Sequence, residues 1–520
     1  MAFKRSSGVL LHPTSLPDCS GIGTIGKQAY KFVDWLAEAG QSLWQVLPLG
    51  PTGYGDSPYA SFSTYAGQPL IIDLDELKEA GLLTGDDILP PDYIKSNGDI
   101  NYGAVVFWKK PILRKAAGNF MNKKDHPFRK EYDEFVKANS YWLDEYALFM
   151  DIKNYYDEKA QQDNLSGCMW SNYWPKDLAL HQEKAVKDWA ASHKDSIEIE
   201  KIIQFFFFHQ WNALKAYANS KGIHIIGDIP IFVAPDSVDV WANQKLFLLN
   251  SEGVPTFVSG VPPDYFSATG QLWGNPLYNW KEMAKDDYAW WISRIKGVLN
   301  MVDYIRIDHF RGFEAYWAIP FGEETAINGK WEKGPDHALF NAIKKQLGEL
   351  PILAEDLGLI TEEVKALRDD FNLPGMKILQ FAFDANEAGK DGMVNTFLPH
   401  NYTPNSLVYT GTHDNDTLRG WIDKASDKEL NLIQEYIGKN GLSKDELVKE
   451  MIRLAMSSVS VFAVIPMQDL LGIGSEGRMN TPSTTGTNWA WRMQPTDFNA
   501  DIAKWMRRLS ALYARNSVGL

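Results

Sequence analysis

Eight short apolar runs, with helical patterns between most of them, constrain this 520-residue chain more than any other feature. They fall at residues 8–11, 42–47, 224–231, 304–307, 352–354, 376–383, 407–409 and 459–465, each rich in Val, Ile, Leu or aromatics. Near-continuous apolar runs of this length are what strands need when both faces of a parallel sheet are covered. After the first run, Ala29, Phe32, Val33, Leu36 and Ala37 repeat with helical spacing, and Gly40 stands where a helix-ending glycine belongs. After the fifth, Thr361 is placed to cap a helix containing Val364, Leu367 and Phe371, with Pro374-Gly375 as its stop. Eight strand–helix alternations predict an α/β chain folded as a (β/α)8 TIM barrel. A doubly wound open sheet is the alternative, but its Gly-rich turn is only weakly imitated by Gly21-Ile22-Gly23-Thr24-Ile25-Gly26.

The spacing of the runs shows where the barrel is decorated. One barrel spanning 1–520 is expected to hold a mainly helical insertion at about 60–220 and a lid and acceptor-side segment at about 250–285. A third insertion is expected at about 313–338, and no separate C-terminal β domain follows the last run. Glycines and prolines around Tyr265 and Phe266 predict a mobile lid over 260–270 rather than a core element.

Composition narrows the chemistry. Hydrophobic residues make up 45% and charged residues 23%, a soluble globular profile. The balance of 52 basic against 66 acidic residues, net −14, argues against nucleic acid as a partner. Cys19 and Cys168 form neither a disulfide framework nor a metal-ligand spacing, and no apolar run is long enough to span a membrane. The expected compartment is the cytoplasm, although a processed plastid form would read the same way. Tyr54, Tyr59, Tyr265, Trp273 and Tyr278 sit beside Gly, Pro, Asn or Asp, in loop contexts where flat apolar faces suit a sugar ring.

Three acids follow three of the runs: Asp308, Glu355 and Asp414, 47 and 59 residues apart. In a barrel, carboxylates at the C-terminal ends of strands converge on one mouth. Arg306 shares its side of the strand with Asp308 by the period of two, and a guanidinium there favours an ionised nucleophile. Cleavage of a glycosidic bond needs one carboxyl to attack and one, with a raised pKa, to protonate the leaving oxygen. Metal binding by the acids is the rival reading, and His309 and His413 lack the spacing for it. A buried structural Arg–Asp pair is the other.

At these residues the chain resembles the amylomaltases, the 4-α-glucanotransferase or disproportionating-enzyme family of the α-amylase clan. Arg306-x-Asp308, Glu355 and His413-Asp414 match the clan in order. Leu11-His12-Pro13-Thr14-Ser15-Leu16-Pro17, Gly53 to Tyr59, Gly227 to Val233, Pro262 to Ser267, Leu272 to Pro276 and Arg478-Met479-Asn480 are similar to amylomaltase motifs in particular. The resemblance implies transfer of α-1,4-glucan segments between maltooligosaccharides or starch chains by a retaining double displacement, without cofactor or metal. A hydrolytic α-amylase is the enzymatic alternative, and a non-catalytic glucan-binding protein the one from another class. It further implies Asp308 as nucleophile, Glu355 as general acid/base and Asp414 as transition-state stabiliser. Ser57, Tyr59, Asp228, Tyr265, Phe266, Trp273, Arg306, His309, His413 and Asn480 would bind substrate. Asp228 is followed by Ile229-Pro230 where the clan usually has Asn-His, a departure that favours amylomaltases and leaves the clan's calcium site in doubt.

Overall fold

A computed structural model of the protein describes residues 3–94, 98–264, 267–384 and 395–516. Its strands, in chain order, are β1 (Ser6–Leu10), β2 (Leu43–Gln45), β3 (His224–Pro230), β4 (Phe257–Val261), β5 (Gln271–Pro276), β6 (Tyr304–Asp308), β7 (Ala315–Pro320), β8 (Lys330–Lys333), β9 (Ile352–Ala354), β10 (Gly375–Ile378), β11 (Ser406–Tyr409) and β12 (Phe462–Pro466). Eight of them close into a parallel barrel in the order β1-β12-β11-β10-β9-β6-β3-β2. The expected (β/α)8 architecture is therefore present, and the described residues after β12 form helices and loops only.

Alternation along these strands explains why they read as unbroken apolar runs. Leu10, Leu43, Ile226, Leu353, Met376, Leu407, Tyr409, Phe462 and Val464 form one buried cluster. Their neighbours Val9, Trp44, Ile225, Ile305, Ile307, Ile352, Val408 and Ile465 belong to a second, shared with the surrounding helices. Both faces are covered, so both are mainly apolar, and the charged residues they do carry, Asp228 and Arg306, are paired. The β1–β2 contact is close at Gly8, where a Cβ would lie 2.2 Å from the Leu43 carbonyl oxygen.

The helix expected after β1 spans Lys27–Glu38, and Gly40 follows it at φ +65°. The helix after β9 spans Glu362–Asp370; Thr361 occupies its N-cap position but makes no capping bond. The run at 376–383 is half strand and half helix. β10 ends at Ile378, and Leu379–Phe383 turns as a helix. Both halves are buried, so the apolar run does not break where the backbone changes.

Between β2 and β3 lie long helices at Tyr102–Asn122, Arg129–Gln162 and Lys194–Ser220. The last brings Phe205 to Phe208 into the main core and leads back to β3. The two later insertions meet each other. β4 and β5 pair antiparallel, β7 pairs with β4, and β8 with β7, giving the sheet β5-β4-β7-β8. The described residues of 260–270 are tied by Asp264 N–H to Ser267 O (3.0 Å) and Ala326 N–H to Thr269 O (3.1 Å). At the ends of the expected lid, Gly260 and Val261 are strand residues paired with Leu272 and Gln271. No described helix is long and apolar enough to cross a membrane.

Candidate active site

Register sets the first two acids. Ile307 on β6 pairs with Ala354 on β9, so the residues that follow, Asp308 and Glu355, leave adjacent strand ends. Neighbouring strands are about 4.8 Å apart, which starts the two carboxyls within one sugar ring of each other. Asp308 is immediately followed by a left-handed residue, His309, at φ +55°. That turn is uphill by about 1–2 kcal/mol for a side-chain-bearing residue. It aims the His309 N–H at Glu355 Oε2 (2.7 Å), while Leu357 N–H reaches Oε1 (2.9 Å).

Arg306 lies beneath this pair, 3% exposed. Its Nη1 donates to both Asp228 oxygens (2.8 and 2.6 Å) and its Nη2 to Asp308 Oδ1 (2.8 Å). Asp228 stands across from it on β3 as its register partner. The Tyr59 hydroxyl donates to Asp228 Oδ2 (2.8 Å), which leaves its oxygen facing His413 Nδ1 at 3.2 Å. The Tyr59 and His413 rings also stack, with centroids 4.8 Å apart. On the other side of His413, Nε2 faces Asp414 Oδ2 at 3.4 Å. Asn480 Nδ2 donates to Asp414 Oδ1 (2.6 Å), and Arg478 holds the Asp414 carbonyl (2.6 Å).

These contacts push the titrating groups apart. Burial, and then the charge of Asp308, raise the Glu355 carboxyl to about 8, against the pull of Arg306 and the two N–H donors. The enclosing cleft walls would raise Asp414, whose side chain is half exposed, but His413, Asn480 and Arg306 outweigh them and hold that carboxyl below the usual carboxylate range. Burial lowers His413 while Asp414 raises it, and the net direction is up, towards the imidazolium form. His309 goes the other way, lowered by burial to about 4. Two acids with opposed shifts on one mouth are the pattern of divided acid–base labour.

A cleft of about 400 Å³ opens above them. Ser57, Tyr59, Trp273, Asp308, His309, His413, Asp414 and Asn480 line it. Trp273 projects from β5 and meets the His309 ring edge-on at 4.8 Å. Asp228 and Arg306 lie below the lining, buried and paired. Glu355 is also outside the lining, with both oxygens on backbone N–H groups. Tyr265 and Phe266 lie outside the described residues. Tyr278, grouped in the sequence with the loop aromatics, is instead 1% exposed in the core. Among the described residues, no group of three or more His, Cys, Asp or Glu is arranged to hold a metal ion.

Sequence reasoning missed one wall of the cleft. Pro482, Ser483, Thr484, Thr485, Asn488 and Trp489 line it. Trp489 lies 5.8 Å from the rings of both Tyr59 and His413. The available signal was an aromatic closing a Ser/Thr-rich loop.

Carboxylates at the mouth of a (β/α)8 barrel, in a cleft walled by aromatics and amides, define the class: an enzyme of glycosidic-bond chemistry. Comparison with known proteins makes this particular. The family model described as 4-alpha-glucanotransferase matches residues 11–497. The 4-alpha-glucanotransferase of Synechocystis sp. is 46% identical over 99% of both chains. That of Thermus thermophilus is 46% identical over 98% of this chain and 99% of its own. A solved amylomaltase from Streptococcus agalactiae, in complex with acarbose, superposes with TM-score 0.92 at 38% identity, covering 99% of this chain and 100% of the other. The chain belongs to the 4-alpha-glucanotransferase family.

Proposed function

We propose that Asp308, Glu355 and Asp414 divide the transfer of α-1,4-glucan segments among them. Asp308 attacks the anomeric carbon while Glu355 protonates the departing glycosidic oxygen, leaving a glucosyl ester on Asp308. Glu355, now a base, takes the proton from a 4-hydroxyl of an acceptor glucan, which displaces the ester with overall retention. Asp414, kept anionic beside His413, stabilises the oxocarbenium-like charge. In reaching the glycosidic oxygen, Glu355 exchanges the His309 N–H for substrate, a tightening common to apo sites. The acarbose in the streptococcal relative supports an α-glucan as ligand of the cleft.

Position supports the remaining roles. Tyr59, Ser57, His413 and Asn480 hold the sugar at the cleaved bond, and Trp273 with His309 faces the acceptor. Arg306 and Asp228 act from below, by fixing Asp308 and Tyr59. Tyr265 and Phe266 are retained as lid contacts on the strength of sequence alone. The whole chain works as one catalytic barrel whose insertions shape the cleft. No cofactor is needed, and the two free thiols favour the cytoplasm or a comparably reducing compartment.

The observation on which this reading rests is the pairing of Asp308 with Glu355 at adjacent strand ends, with Glu355 raised to about 8. The test is incubation with maltotriose followed by chromatography. Glucose with a ladder of longer maltooligosaccharides is expected. Shortened products alone, without redistribution, would replace transfer by hydrolysis.

A further inference from the structure

The segment 410–417 joins β11 to the helix Leu418–Lys424 and carries both His413 and Asp414. One side chain bonds both of its ends. Asp469, in the short helix Met467–Leu471 after β12, accepts from Thr410 Oγ1 at 2.5 Å and from Leu418 N–H at 2.7 Å. It is 1% exposed and does not line the cleft. Burying a carboxyl in this way is unfavourable unless its oxygens are well satisfied. Its two donors are eight positions apart, so the pair of bonds fixes the span of the loop between them.

We propose that Asp469 is a positioning residue for Asp414, acting by clamping the two ends of this loop. Other braces reach the loop: Gln380 N–H to Thr410 O (3.2 Å) and Gln380 Nε2 to Asp416 O (2.9 Å). Asn480 and Arg478 hold Asp414 from the cleft side. Asp469 alone among these bonds both the first and the last turn of the connection through one rigid carboxyl. The clamp is indifferent to its charge. Burial raises the Asp469 carboxyl to about 7, and a protonated acid or an amide still accepts from Leu418 while donating to Thr410, whose hydroxyl can turn.

The inference rests on the role proposed above for Asp414, and the experiment separates the two. Maltotriose disproportionation is measured for Asp469→Leu, Asp469→Asn and Thr410→Val, and for Asp469→Leu combined with Asp414→Asn. Asp469→Leu keeps the branched four-atom side-chain skeleton, though with bulkier methyls, and removes both acceptors, so kcat should fall about tenfold or more with KM little changed. Asp469→Asn should recover most of that loss. Thr410→Val, which breaks one bond with almost no change of shape, should lower kcat about threefold and stands in if Asp469→Leu does not fold. In the Asp414→Asn background, with an α-glucosyl fluoride donor to keep residual turnover measurable, Asp469→Leu should cost nothing further. Wild-type kcat in Asp469→Leu or in Thr410→Val would overturn the clamp, as would an equal loss with and without Asp414. Wild-type kcat in Asp414→Asn alone would instead remove the role of Asp414, and the clamp with it.

Discussion

Replacing Asp308 by Asn should lower the pKa of Glu355. Asp308 is the second largest influence raising that carboxyl, after burial. The two residues follow register partners on adjacent strands, and a separation of about 5.5 Å suits a retaining pair. At an effective dielectric of about 20, two unit charges at that distance repel by roughly 3 kcal/mol, or about two pKa units. The sign follows from which form is disfavoured: an anion next door penalises a second negative charge, so its removal favours ionised Glu355. Arg306, no longer balanced by the Asp308 charge, pulls in the same direction. The midpoint should therefore drop from about 8 in the wild type to roughly 6 in Asp308→Asn. The assay is a carbon-13 NMR titration of carboxyl-labelled glutamates, with the Glu355→Gln spectrum subtracted to isolate one resonance. A midpoint unchanged or raised in Asp308→Asn would refute the argument that these two carboxyls face each other. The same midpoint governs turnover: kcat/KM of the wild type should fall as pH rises through about 8, where Glu355 loses the proton it must donate.

Arg306→Met removes the cation shared by Asp228 and Asp308, leaving the buried Asp228 with only the Tyr59 hydroxyl. Urea unfolding should show a loss of about 3–5 kcal/mol, and a near-native midpoint would contradict the pairing. Trp273→Ala should reduce the ratio of transferred to hydrolysed glucosyl units from maltotriose, because an acceptor must be oriented and water need not be. An unaltered ratio would remove Trp273 from the acceptor side. Incubation with EDTA should leave disproportionation unchanged; a loss restored by calcium would point to a metal requirement.

The barrel was legible because its strands are covered on both faces, which makes runs such as Tyr304 to Ile307 stand out against amphipathic helices. The same property hid the end of β10. Leu379 to Phe383 is as apolar as the strand before it, and only the backbone distinguishes them. The four-stranded sheet beside the mouth was not legible. Val258-Ser259-Gly260 and Leu272-Trp273-Gly274 break the strand period with glycines, and β4 finds its second partner in β7, far along the chain. Asp308 ends β6, and Glu355 and Asp414 come shortly after β9 and β11, so the nearness of these three acids to one another follows from topology. Trp489 could not. It is placed by long-range bonds, its N–H to Met479 O (2.6 Å) and its carbonyl to the Tyr102 hydroxyl (2.9 Å), and no local pattern encodes them. Asp228 was read as a sugar contact, whereas its oxygens are engaged by Arg306 and Tyr59 beneath the cleft.

The central claim is a covalent glucosyl ester on Asp308, and trapping it is the most direct test. In Glu355→Gln the general base for the second step is gone, while an α-maltotriosyl fluoride donor needs no protonation to lose its leaving group. The ester should then accumulate. Intact mass spectrometry should show the protein gaining one maltotriosyl unit, and digestion should place it on the peptide containing Asp308. Fluoride release with no adduct, or an adduct on any other residue, would contradict the double displacement at this site.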